Sequence, residues 1–257
     1  MKQEHPWQLL EQELALWQQS GSRLSLWWRD DDATSDTPAL EQLLNLSNRH
    51  QVPLSLAVIP KGLQPSLASR LKGYTKISCL LHGYDHSNYA PPEQRKQELG
   101  LHRPKQQVIN SLVQGHQKLS KELGTAYHPV LVPPWNRISK ALIDELSAVG
   151  LLGLSTLGPR NDQTDLTVNN VHIDLIDWKQ RCFAGEQRVL NQLVTHLRQR
   201  RLRQVDPLET TGIMSHHLAH DTQCWEFLHQ LLALLQSHPC VRWPSIDCLF
   251  PDKHREA

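Results

Sequence analysis

Short apolar runs alternate along the chain with longer segments whose apolar residues recur three and four positions apart. Runs of four to eight apolar residues that end in Gly, Pro or polar residues are typical of buried strands. The longer segments are typical of amphipathic helices. The pattern predicts strands over 23–28, 52–59, 76–82, 128–132, 151–155, 170–176, 211–215 and 241–243.

The predicted helices fill the intervals between these strands, over 1–19, 37–49, 63–71, 104–123, 139–149, 186–201 and 222–236. Seven or eight strands that alternate with helices predict an α/β fold, a parallel barrel. With 257 residues, the chain has the usual length of one such barrel, and no linker-like segment interrupts it. We therefore predict a single domain over residues 1–257, with an N-terminal helix within 1–20.

Polar side chains follow the predicted strands at five places. They are Asp30-Asp31-Asp32, His82 with His86, the segment 133–137, Asp174 with Asp177 and Trp178, and His216 with His217 and His220. Active sites of α/β barrels are built at the carboxyl ends of the strands, so these clusters are expected to share one face. The basic run 198–203 closes a predicted helix and is expected to be a solvated helix end, remote from that face.

The pair His82 and His86 indicates a metal site, because one turn of chain lets two imidazole rings converge on one ion. Taken alone, such a pair is more often structural. The carboxylates of residues 30–32 favour the metal site, since they would repel one another without a cation to offset the cost of burying them. The two histidines also need a third ligand from elsewhere in the chain.

Composition and charge narrow the range of functions. The formal net charge of +1 argues against an extended nucleic-acid surface. The five cysteines are odd in number and include no Cys-x-x-Cys pair, which argues against a disulfide framework and a thiolate metal site. No stretch approaches the roughly 18 apolar residues of a membrane span, and residues 1–19 lack the apolar core of a secretion signal. We expect a cytoplasmic protein that binds neither nucleic acid nor membrane, of unknown oligomeric state.

The order of the motifs resembles the polysaccharide deacetylases, the NodB-homology family of metal-dependent carbohydrate esterases, over roughly residues 23 to 220. This resemblance implies a distorted (β/α) barrel. Residues 29–33, Arg-Asp-Asp-Asp-Ala, are similar to the family's Thr-Phe-Asp-Asp-Gly, which implies that Asp31 is the base and Asp32 a metal ligand. Residues 82–86 are similar to its His-x-x-x-His motif, which implies that His82 and His86 are the other ligands.

Two later segments are similar to further family motifs. Residues 174–178 resemble Asp-x-x-Asp-Trp, which implies that Asp177 supports a catalytic histidine. Residues 213–216 resemble the strand that delivers this histidine, which implies that His216 is the general acid. Residues 132–136, Val-Pro-Pro-Trp-Asn, stand where the family has Arg-Pro-Pro-Tyr-Gly, so the arginine that orients the base is absent. Arg29 or Arg137 could take its place.

The predicted chemistry is hydrolysis of an acyl group from an N-acylated, amino-sugar-like small molecule or oligosaccharide. Such a reaction needs an activated water, a Lewis acid and a proton for the leaving group. One divalent ion, zinc by default, would be the Lewis acid. Hydrolysis of a cyclic amide or imide is an alternative, and so is a degenerate carbohydrate-binding barrel without turnover, although a pure binder needs neither Asp31 nor His216.

Several residues near the motifs carry weaker expectations. Trp135, Asn136, Trp178 and His220 are candidate substrate contacts, although the two tryptophans could be core residues and His220 could be a loop or capping residue. By strand alternation, Asp30 should face outward or cap the next element, and His217 should point away from His216. Asp85 is expected to form a turn, and neither it nor Asp30 is assigned to the site.

Overall fold

The structure, a computed structural model, describes residues 5–160 and 164–251. Its strands are β1 (Leu24–Ala33), β2 (Leu54–Val58), β3 (Ile77–His82), β4 (Tyr127–Val132), β5 (Gly153–Leu154), β6 (Thr167–Val168), β7 (Ile173–Asp174), β8 (Ile176–Asp177), β9 (Cys182–Phe183), β10 (Thr211–Ser215) and β11 (Val241–Arg242). Its α-helices are α1 (Pro6–Gln19), α2 (Pro38–His50), α3 (Pro65–Leu71), α4 (Lys105–Leu123), α5 (Lys140–Ile143), α6 (Leu146–Val149), α7 (Glu186–Arg201), α8 (Thr222–Ser237) and α9 (Ile246–Leu249).

Nine of these strands form one curled sheet in the order β6-β5-β4-β3-β2-β1-β10-β7, with β11 paired to the first residues of β1. Every pairing in this sheet is parallel. Helices surround the sheet, and β8 and β9 form a separate antiparallel hairpin. The predicted α/β fold, a distorted parallel barrel, is confirmed.

The two faces of the sheet carry different residues because successive side chains of a strand point to opposite sides. The outer face packs against the helices in the main core, which includes Leu26, Trp28, Leu81 and Ile213. The concave inner face is filled by a smaller apolar cluster, to which α9 contributes. The cluster consists of Trp27, Ala57, Leu80, Val130, Val132, Val171, Met214, Ile246, Leu249 and Phe250. Continuing the alternation toward the carboxyl ends places Arg29, Asp31, His82 and His216 above this inner cluster.

Most predicted elements differ from the structure by one to three residues at an end, β6, β9 and α9 were not predicted, and three elements differ more strongly. Strand β1 runs to Ala33, so the three aspartates lie within the strand. The single strand predicted over 170–176 is divided between β7 and β8, because the Asp174 side chain accepts the Ile176 backbone N–H and ends the ladder. The helix predicted over 139–149 is two short helices, α5 and α6. The first four residues of the helix predicted over 1–19 lie outside the described residues.

The basic run 198–203 closes α7, as predicted, and its residues 198, 202 and 203 are exposed, but two of its arginines are not solvated. Arg200 is 2% exposed and donates hydrogen bonds to the Ser25 carbonyl and the Thr211 hydroxyl. Arg201 binds both oxygens of the Glu13 carboxylate, at 2.7 and 2.9 Å. The run therefore fastens α7 to α1 and to the amino ends of two strands, at the end opposite to the polar clusters.

The five cysteines all lie within the described ranges, and each is a free thiol. In the part of the chain that the structure describes, no helix has both the length and the apolar character that a membrane span requires.

Candidate metal centre

A bulge in β1 sends the three neighbouring aspartates in different directions. Asp30 pairs with Leu56 of β2, but Ala33 pairs with Val58, so β1 has one residue more than β2 over this stretch. The extra residue is accommodated with Asp32 at φ +76°, in the left-handed region. Bulges commonly re-aim side chains beside active sites. Regular alternation would send Asp32 to the helix side, but with the bulge its carboxylate contacts His82 and His86.

Asp32, His82 and His86 converge on one point. Oδ1 of Asp32 lies 3.1 Å from Nε2 of His82 and 3.3 Å from Nε2 of His86. One ligand atom from each of the three residues lies within 4.8 Å of the others. One carboxylate with two imidazoles is a usual ligand set for zinc and related ions, and three protein ligands leave positions for water and substrate.

The hydrogen bond of His82 shows that this set fits a cation. Nδ1 of His82 lies 2.9 Å from the carbonyl oxygen of Val132, which only accepts, so Nδ1 carries a proton. In the neutral ring, the Nε2 lone pair then faces the Asp32 carboxylate, an arrangement that a cation between them would stabilise. Burial opposes ionisation of both groups, but their mutual attraction keeps the pKa of Asp32 well below its usual range and raises the pKa of His82.

Of the two arginines that could replace the one missing from the third motif, Arg29 contacts Asp31. It lies two residues before Asp31 on the same face of β1 and binds both carboxylate oxygens, at 2.8 and 2.9 Å. Its remaining N–H groups bind the Ser155 hydroxyl and the Asn136 side-chain carbonyl, both at 2.7 Å. Arg137, the other candidate, instead donates to the Lys96 backbone carbonyl.

His216 lies beside Asp31, with Nε2 4.0 Å from Oδ2 of the carboxylate. The edge of the Trp178 ring packs against His216, with centroids 4.5 Å apart. Nδ1 of His216 is buried and has no hydrogen-bond partner among the described residues. Trp178 Nε1 donates to Asp174, whose charge acts on His216 and whose pKa burial raises.

The structure does not place Asp177 beside His216, where the motif resemblance predicted it. Within the described chain, the Asp177 carboxylate accepts the backbone N–H groups of Lys179 and Gln180 and forms an ion pair with Arg188. The β8–β9 hairpin begins after Asp174 and turns Asp177 away from the inner face. Asp174, the first carboxylate of the same motif, is the one near His216.

Three of the four candidate substrate contacts lie next to the group formed by the candidate metal ligands, Asp31 and His216. The Trp135 ring lies 4.5 Å from that of His86, and Trp178 is 49% exposed over His216. Asn136 reaches the cluster through Arg29, and Trp135 and Asn136 both have φ +56° in the turn after β4. His220, the fourth candidate, instead packs against the Trp225 ring. Both of its ring nitrogens are buried and have no hydrogen-bond partner among the described residues. Burial lowers the pKa of His220 to about 4.

Asp30 points away from Asp31, as alternation requires, but it does not face solvent. It is fully buried, and its carboxylate binds Nδ1 of His217 at 2.5 Å, the His217 backbone N–H and the Ser215 hydroxyl. Asp30 thus lies on the opposite face from Asp31, as expected, but it is paired in the protein interior, and His217 points away from His216, as expected. Asp85 forms the expected turn, since it accepts the backbone N–H of Ser87.

A second group of side chains also converges and has the composition of a metal site: His172, His196 and Glu209. However, the ring nitrogen of His172 that faces the group carries a proton. Nδ1 of His172 accepts the backbone N–H of Gly212 at 3.1 Å, so in the neutral ring the proton is on Nε2. Nε2 faces the Glu209 carboxylate at 3.2 Å and has no lone pair left for a metal. Unlike the set around His82, this group is a buried polar network.

This network predicts a loss of stability in acid. Burial, followed by the charges of His172 and Arg200, lowers the pKa of His196 to about 3. Below about pH 6.5, His196 is protonated in the unfolded chain but remains neutral in the folded protein. Because the unfolded state then binds more protons, the free energy of unfolding falls as the pH drops. Between pH 7 and 5 the free energy of unfolding should fall by about 2 kcal/mol more in the wild type than in His196→Gln.

Chemical denaturation at the two pH values measures this difference. Glutamine can still bind the Thr211 hydroxyl, which contacts Nδ1 of His196 at 2.9 Å. His5→Gln, at an exposed histidine, should leave the wild-type pH dependence unchanged. Equal falls for the wild type and His196→Gln would contradict the prediction.

Comparison with known proteins adds the fold relationship. No protein-family model and no curated protein matches the chain. Among solved structures, it is similar to a family 4 carbohydrate esterase from Streptomyces lividans in complex with acetate, with a TM-score of 0.57 and 13% identity over 86% of this chain and 92% of the other. A family 4 acetyl xylan esterase from Clostridium thermocellum in complex with a cobalt ion gives a TM-score of 0.53 and 15% identity over 88% and 89%.

The peptidoglycan deacetylase PdaC from Bacillus subtilis is similar over 91% of this chain and 94% of its own, with a TM-score of 0.56 and 14% identity. These structures have the fold that the motif resemblance implies. The chain therefore has the barrel fold of carbohydrate esterases and deacetylases, without detectable sequence similarity to a known family.

Proposed function

We propose that the protein is a metal-dependent hydrolase that removes an acyl group from the nitrogen of an amino-sugar-like substrate. The observation that carries the proposal is the convergence of Asp32, His82 and His86 within 4.8 Å, beside the pair Asp31 and His216. These residues lie at the carboxyl ends of parallel strands, where barrel enzymes have their active sites. Solved structures with the same fold include a peptidoglycan deacetylase and two carbohydrate esterases.

The ligand set is that of one divalent ion, with zinc as the default assignment. The cobalt ion in the Clostridium thermocellum esterase supports a transition metal in this fold. A divalent ion held by Asp32, His82 and His86 would supply Lewis acidity toward an acyl carbonyl and would lower the pKa of water.

The proton transfers belong to the side chains beside the ligand set. Asp31 would accept the proton of the attacking water, and its two-point contact with Arg29 holds the carboxylate in one orientation. His216 would donate a proton to the leaving nitrogen. Asp174, whose charge interacts with His216, would take the supporting position that the motif resemblance assigned to Asp177.

The substrate would bind between two tryptophans. Trp135 lies against the proposed ligand His86, and Trp178 lies against the proposed acid His216, so an indole ring borders each part of the site. An exposed indole ring is a suitable platform for the apolar face of a sugar. This arrangement supports a small-molecule or oligosaccharide substrate. The five free cysteines support a reducing compartment such as the cytoplasm.

Elemental analysis and acetate release test the proposal together. The purified protein should contain about one equivalent of zinc or a related ion and should release acetate from at least one N-acetyl compound in a panel of amino sugars and oligosaccharides. His82→Ala, which removes a ligand, should lose both the metal and the activity. A protein with no metal, or one whose metal survives in Asp32→Ala, would refute the site. Turnover of a cyclic amide or imide but of no N-acetyl sugar would favour the alternative reaction.

A further inference from the structure

A buried carboxylate lies directly behind the turn that carries the two histidine ligands. Glu98 belongs to the long segment between β3 and α4 and has no exposed surface. No described Lys, Arg or His side chain forms an ion pair with it. Its carboxylate instead accepts three backbone N–H groups from the turn between His82 and His86. A buried charge without a counterion is costly, so these hydrogen bonds are its compensation.

The three contacts span the turn from its start to the second ligand. Oε1 of Glu98 accepts the N–H of Tyr84 at 2.6 Å and that of Asp85 at 3.3 Å, and Oε2 accepts the N–H of His86 at 2.7 Å. Consecutive N–H groups that point at one spot form an anion-binding concavity. The same backbone then carries the His86 ring toward Asp32.

The conformation of this turn needs outside support. His86 has φ +55°, a left-handed conformation that costs free energy for any residue with a β-carbon. Gly83 also has φ +55°, and a β-carbon there would lie 2.7 Å from Oε2 of Glu98 and from the Pro134 ring. The carboxylate is therefore packed directly against the backbone that it binds.

Glu98 is itself held in place by its neighbours. Leu99 is fully buried, and its carbonyl accepts the Ser139 backbone N–H at 2.8 Å. On the other side, Asn88 accepts the backbone N–H of Gln97, which ties the two ends of the loop together. The carboxylate is thus fixed before any ligand binds, as preorganisation of a metal site requires.

We propose that Glu98 is a positioning residue that holds the 82–86 turn in the conformation from which His86 binds the ion. The proposal rests on the proposed function, since it concerns the same metal site. It assigns to the long loop a role that its sequence does not indicate: the loop supplies the anion that stabilises the turn. Glu98 is not one of the three proposed metal ligands.

The test measures metal binding and its geometry, apart from turnover. Wild type, Glu98→Gln and the matched loop control Glu93→Gln are stripped of metal, titrated with Zn²⁺ in competition with a chromogenic chelator, and separately loaded with Co²⁺ for visible spectroscopy. Glutamine has the size of glutamate but presents an N–H₂ group to one of the backbone donors. We expect Glu98→Gln to bind Zn²⁺ roughly 10- to 100-fold more weakly. Its Co²⁺ absorption bands should also shift, while Glu93→Gln matches the wild type.

Glu98→Asp provides a second variant if the glutamine variant does not fold. It keeps the charge but withdraws the carboxylate from the turn by one methylene, and we expect an intermediate loss of affinity. Unchanged Zn²⁺ affinity and Co²⁺ spectrum in a folded Glu98 variant would overturn the proposal while leaving the proposed function intact. A wild-type protein that binds neither metal would overturn both. An effect on turnover alone would also overturn it, because the role would then concern substrate.

Discussion

Asp31→Asn and His216→Ala are each expected to lower the rate of acyl hydrolysis by about 10²- to 10⁴-fold, the usual contribution of a positioned proton-transfer group. Both variants should keep their metal, since neither residue belongs to the ligand group Asp32, His82 and His86. Asparagine can still accept a hydrogen bond from Arg29 but cannot take a proton from water. Metal content and kcat, measured on the same preparations, separate these effects.

The control for these variants is a histidine outside the site. His229 lies on α8 and contacts His50 on α2, in the outer helical layer, so His229→Ala should retain parental kcat and metal content. If His216→Ala hydrolysed substrate at the parental rate, His216 would not be the acid. His220, behind it in the structure, would be the next residue to examine. Loss of metal in Asp31→Asn would instead show that the ligand set includes Asp31.

The meeting of residues far apart in the chain was predictable from the sequence. Parallel strands place their carboxyl ends at one edge, so polar residues that follow Trp28, Leu81 and Ser215 had to come together once the fold was recognised. Alternation also accounts for the separation of His217 from His216. These deductions require only the strand period and the parallel order of the sheet.

What the sequence did not reveal depends on local departures from that regularity. The bulge at Asp32 has no sequence signal, since regular alternation would send two adjacent aspartates to opposite faces. Asp177 was misplaced because the Asp174 side chain ends its strand after two residues and the chain enters a hairpin. Glu98 lies in a loop without periodicity, so only its three hydrogen bonds distinguish it from other loop acids.

Arg29, by contrast, could have been identified from spacing alone. It stands two positions before Asp31 on a strand, which places both side chains on one face and allows a guanidinium to bind a carboxylate with two parallel hydrogen bonds. The family's arginine is absent from the segment 132–136, and Asn136 from that segment now binds Arg29 instead. The arginine that contacts Asp31 thus lies on the same strand as Asp31, not in the segment after β4.

Replacing Arg29 should therefore affect both stability and turnover. Arg29 has no exposed surface and Asp31 is 2% exposed, so Arg29→Met leaves a buried carboxylate without its counterion. Breaking a buried pair in this way costs about 3–5 kcal/mol in the free energy of unfolding. Arg29→Lys keeps the charge but cannot form the two-point contact, so it should recover much of the stability and little of the turnover. Denaturant unfolding and kcat measure the two effects.

Arg137→Gln is the matched comparison, because Arg137 was the other candidate for the missing arginine and binds only the Lys96 carbonyl among the described residues. It should leave the free energy of unfolding within about 0.5 kcal/mol of the wild type, as a surface substitution does. Its kcat should stay far above that of the Arg29 variants. If Arg29→Met retained parental kcat while Arg137→Gln lost it, the orienting role would belong to Arg137, and the contact between Arg29 and Asp31 would serve stability alone.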